Sequence, residues 1–74
     1  MGFFEKKRKI VEAASKLGYS IVSEEGRTVV LMGTTFKKED LTTLEKVAKG
    51  KLEWSVCSSP KDSTRIEILL VIPY

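Results

Sequence analysis

The chain has 74 residues, 42% of them hydrophobic and 31% charged, with a formal net charge of +3. That length makes a single domain over residues 1–74, near the lower limit for a self-sufficient core, and the hydrophobic fraction excludes wholesale disorder. No apolar run approaches the ~20 residues that cross a bilayer, the opening does not read as a secretory signal, and a lone Cys57 cannot form an internal disulfide, so a reducing cytoplasm is the expected compartment.

Residues 3–17 read as an amphipathic helix. Ile10, Ala14 and Leu17 recur at four and three, Val11 and Ala13 widen the stripe, and Phe3 extends it by two turns. Glu5–Lys9 and Glu12–Lys16 are spaced i,i+4 with the acid first, the favourable order, and Gly18 marks the exit. Residues 19–23 form a short β-prone stretch, and Glu24, Glu25 and Gly26 make a turn in which Gly26 takes positive φ. Residues 27–32 complete a hairpin, continuously apolar from Val29.

A second helix enters at Lys37, with Phe36 and Leu41 at the hydrophobic-staple positions and Glu39 and Asp40 in the first turn. Its apolar stripe is Leu41, Leu44, Val47 and Ala48, and Gly50 is expected to stop it. Residues 51–57 alternate, with Leu52, Trp54 and Val56 predicted inward and Trp54 in the core. A loop over residues 58–63 leads into the most apolar segment, residues 65–74. There Ile66, Ile68, Leu70 and Ile72 share one face, while Arg65, Glu67, Leu69 and Val71 share the other. Pro73 ends the pairing.

The order is thus α-β-β-α-β-β, two copies of a helix plus a hairpin. A weak echo lays residues 14–21 on residues 47–54. The second and fourth strands are continuously apolar and belong in the middle of a sheet, while the first and third belong at its edges. Keeping both hairpins predicts an α+β two-layer sandwich: a four-stranded antiparallel sheet of order 3-4-2-1 with two helices on one face. That is the ferredoxin-like arrangement with its first strand moved to the end, and a right-handed crossover joins the second strand to the third.

Chemistry is sparse. The chain has no His, hence neither the usual general base nor the commonest metal ligand. One Cys cannot build a zinc site, and no phosphate-loop or dinucleotide-binding glycine pattern occurs. No catalytic residue, metal or cofactor is expected, and the reading is non-enzymatic. His, Asn and Gln are all absent and Lys outnumbers Arg, a composition associated with thermophilic proteins.

The charge is unevenly placed. Residues 1–16 hold five basic and two acidic side chains, and the eight bases and eight acids from residue 17 onward cancel. The surplus lies in Lys6, Lys7, Arg8 and Lys9, joined by Lys16. A patch there points to nucleic acid as partner. The plainer alternative is a solvated helix face, since four successive helical residues fan around about 300°. A membrane-surface helix using Phe3 and Phe4 rests on one short apolar edge, and no membrane partner is expected. The open sheet face is predicted to carry Glu53, Ser55, Arg65 and Glu67, which argues against base stacking there. It also leaves Leu69 and Val71 uncovered, so the rival expectation is a homodimer associating through those two residues.

Overall fold

A computed structural model describes residues 2–73. Met1, and Tyr74 at the end of the last predicted stretch, lie outside the described residues. The elements follow the predicted order: α1 (Phe3–Lys16), β1 (Ser20–Glu25), β2 (Thr28–Gly33), α2 (Lys38–Ala48), β3 (Glu53–Ser58) and β4 (Ile66–Val71). The strands form one antiparallel sheet of order β1-β2-β4-β3, the predicted order read from the other edge.

The central pair explains the sheet. β2 and β4 are in register over six rows, from Thr28 opposite Val71 to Gly33 opposite Ile66. Alternation then sends Val29, Leu31, Ile68, Leu70 and Ile72 to the helix layer, each fully buried. They meet Ile10 and Ala14 of α1 and Leu44 and Ala48 of α2, with Tyr19 and Leu52 closing the two ends. Complete burial of a Leu, Ile or Val contributes roughly 1.5–3 kcal/mol. Beyond the last β2–β4 row, Arg27 and Ile72 stay joined, because the Ile72 N–H donates to Arg27 O and Arg27 Nε donates to Ile72 O.

Both helices start without a side-chain cap, from an extended Gly2 and an extended Lys37. Both end in the same reverse turn. After α1, Gly18 takes φ 100° and the Gly18 and Tyr19 N–H groups donate to Ser15 O and Ala14 O. After α2, the left-handed residue is Lys49 (φ 57°), and the Lys49 and Gly50 N–H groups donate to Lys46 O and Glu45 O. The stop predicted at Gly50 therefore falls one residue earlier. The hydrogen bonds to the orphan carbonyls fix which residue must turn, and that residue is a lysine.

Two further expectations change. β1 runs on through Glu24 and Glu25, because the hairpin needs only a two-residue turn at Gly26 (φ 56°) and Arg27, and an edge strand tolerates charge on either face. Trp54 and Val56 point to the helix layer as predicted but are not core: they are 51% and 40% exposed. The sheet's edge reaches past α2, which covers β4 and leaves β3 bare. Gly33 has a packing duty, since a Cβ there would lie 2.9 Å from the Tyr19 ring.

Candidate functional site

The predicted basic residues all lie on α1, and the helix divides them. Phe4, Lys7, Arg8 and Val11 stand at i, i+3, i+4 and i+7, which sets them along one flank. With Glu24 of β1 they line a groove of about 370 Å³ between helix and sheet edge. Glu24 reaches this place because its row, opposite Val29, belongs to the helix-layer face of β1. Lys6 does not join the groove. Half-buried, it sends its ammonium to Pro73 O at 3.4 Å, on the side where the chain leaves β4. Lys9 and Lys16 are exposed and, seven residues apart, share the opposite flank.

Neither Glu5–Lys9 nor Glu12–Lys16 closes into an ion pair. Among the described residues the ion pair formed is Asp62–Arg65, at 3.5 Å. The cations of the groove are likewise not held by Glu24. Phe4 is 81% exposed and meets Phe3 edge-on, with ring centroids 5.9 Å apart. Beyond the basic residues that the charge pattern marks, the groove is completed by Phe4, Val11 and Glu24. The signal for the first two was the i, i+3, i+4, i+7 spacing around Lys7 and Arg8.

The opposite surface carries the other sign. On the open sheet face, three cross-strand rows read Glu25–Thr28–Val71–Glu53, Ser23–Val30–Leu69–Ser55 and Ser20–Met32–Glu67–Cys57. The charged residues of these rows are three glutamates. Glu53, Ser55 and Glu67 lie there as predicted, and Arg65, one residue before β4 on the same alternation, pairs with Asp62. That aspartate accepts from the Thr64 hydroxyl and N–H, and these hydrogen bonds hold its carboxyl below the usual range. Leu69 is 38% exposed and Val71 half-buried, beside Val30 and Thr28.

Two other recesses mark the surface. Between the exit of α1 and the start of α2, Tyr19, Asp40, Lys37, Thr34 and Thr35 line a polar cleft of about 170 Å³. The Tyr19 hydroxyl donates to Asp40 Oδ2 at 2.5 Å. Burial first, and then this hydrogen bond, push its pKa up to about 12, so the phenol keeps its proton and is a poor base at neutral pH. Near β3, Phe36, Lys38, Leu41 and Trp54 line an apolar cleft of about 250 Å³. Among the described residues no cluster of three or more His, Cys, Asp or Glu is placed to hold a metal ion, and no helix is long and apolar enough to cross a membrane.

No family model, no curated protein and no solved structure matches the chain. The functional reading therefore rests on the geometry above.

Proposed function

We propose that the protein is a small non-enzymatic binding module whose partner is nucleic acid, engaged through the α1 side of the molecule. One observation carries this reading: Lys7 and Arg8 converge beside an exposed Phe4 on a groove, while the charges in the paired rows of the open sheet face are all acidic. Phosphates are drawn to the helix layer and repelled from the sheet. Lys7 and Arg8 contact backbone phosphates, Phe4 offers a ring on which an unpaired base stacks, and Lys9 and Lys16 extend the field along the other flank. Such contacts neutralise charge without reading sequence.

Titration of the protein against a short single-stranded oligonucleotide at several salt concentrations tests the proposal. With three or four phosphates neutralised, the logarithm of affinity falls against the logarithm of salt with a slope of about −2 to −3. Lys7→Glu with Arg8→Glu lowers affinity tenfold or more. Binding indifferent to salt, or untouched by that double substitution, overturns it.

The competing reading is a homodimeric interaction or structural domain joined through Leu69 and Val71. Stacking that face on a copy of itself brings Glu25, Glu53 and Glu67 of both copies together, a like-charge arrangement that opposes the contact.

A further inference from the structure

The two edges of the sheet are unequally defended. β1 is broken by a bulge between Ile21 and Ser23, which twists the strand away from a flat template, and its last two residues are Glu24 and Glu25. β3 has no bulge and no run of acids. It pairs with β4 in unbroken register over all six residues, carries one charge, Glu53, and is exposed along its whole length. Being the terminal strand, it presents the N–H and C=O groups of every second residue outward. Beside this row lie the exposed faces of Trp54 and Val56 and the apolar cleft of Phe36 and Leu41, with the Phe36 and Trp54 rings 5.6 Å apart.

We infer that β3 is an association edge and that its occupant is β3 of a second copy. The two strands run antiparallel about a two-fold axis normal to the sheet, joining two four-stranded sheets into one. Such an axis keeps both helix layers on the same side, so only registers in which one residue faces its own counterpart preserve the side-chain alternation. The register centred on Ser55 satisfies the strand chemically. Trp54 faces the partner's Val56 and Val56 faces the partner's Trp54, the aromatic and β-branched pairing that antiparallel strands favour. Glu53 faces the partner's Cys57, so the strand's one charge never meets its like.

The four apolar side chains fill the trough between the two α2 helices that α2 leaves bare in the single chain. Charge compatibility favours a copy of the same strand, which brings one acid per edge. An edge of arbitrary sequence has no such guarantee. Because β1 is bulged and acidic, each chain has one usable edge, and pairing closes at two copies instead of running on into a fibre.

Sedimentation of the 8.3 kDa chain across a concentration series tests this. The expected species is a dimer. Its dissociation constant rises tenfold or more with Trp54→Glu, an exposed site where folding is checked by circular dichroism. Trp54 is the single tryptophan, so its emission moves to shorter wavelength as the dimer forms.

A second measurement does not depend on that variant. In a Cys57→Ser background, Ser55→Cys forms a disulfide-linked dimer on mild oxidation, because antiparallel neighbours on a shared row lie within disulfide reach. Ser23→Cys, on the other edge strand, does not. The inference requires both the dimer and the Ser55 link. A monomer at the highest concentration overturns it, as does a dimer that Ser55→Cys fails to trap or that Ser23→Cys traps equally well.

Discussion

The two halves of the molecule, α1-β1-β2 and α2-β3-β4, use the same order of elements and diverge at their rims. Each contributes one buried helix stripe and one strand with an apolar inner face to a shared core. Position by position the strands correspond: Tyr19 matches Leu52, both buried, and Ile21 matches Trp54, both on the helix-layer face. The echo laying residues 14–21 on residues 47–54 is correct for these pairs. It fails at the helix exits, where the structural equivalent of Gly18 is Lys49, because Gly50 and Lys51 separate that turn residue from Leu52 whereas Gly18 directly precedes Tyr19. Glu45 secures that longer link by accepting the Leu52 N–H at 2.9 Å. The difference teaches that the core constrains both halves alike, whereas the rim is free to specialise: a basic groove beside β1 and a bare apolar edge at β3.

If the halves are equal partners in the core, removing equivalent anchors must cost the same. Ile10→Ala in α1 and Leu44→Ala in α2, both fully buried, are each expected to lower stability by about 2–5 kcal/mol and to agree within about 1 kcal/mol in urea unfolding. A large disparity would mean that one half carries the fold.

The next contrast is Tyr19 against Leu52, since only the former has a polar tip. Tyr19→Phe removes the bond to Asp40 and is expected to cost about 1–2 kcal/mol at neutral pH. The folded state holds the phenol proton up to about pH 12, against an ordinary 10. That contribution is therefore whole below pH 10 and is lost as pH rises from 10 through about 12. Thermal unfolding of the Phe variant should lack this part of the alkaline decline.

The smallest effect has opposite signs in the two halves. Lys49→Gly relieves a left-handed lysine and should stabilise by roughly 0.5–1 kcal/mol, whereas Gly18→Ala should destabilise by about 1 kcal/mol. Matching signs in melting temperature would show that the two exits are not equivalent.

Much of the architecture was legible because the strands differ in kind. Val29 to Met32 and Leu69 to Ile72 are apolar on both faces, and strands of that sort must be central, which forces the order of the sheet. Trp54 misled because alternation says which face a side chain takes but not whether a helix lies over it. That depends on how far α2 sits from the edge. The basic run was legible as a surplus of charge but not as a site. Consecutive helical residues diverge, so Lys6 turns to Pro73 while Lys7 and Arg8 meet Phe4 and Glu24 across a groove whose other wall comes from β1.

The approach of Gly33 to the Tyr19 ring makes these two positions heritable only as a pair. A methyl group at residue 33 would lie 2.9 Å from the ring, so ring or strand must shift where the phenol binds Asp40 and joins the end of α1 to the start of α2. A side chain at 33 is thus tolerated only with a compensating shift at 19, whereas the neighbouring Thr34 and Thr35 are exposed.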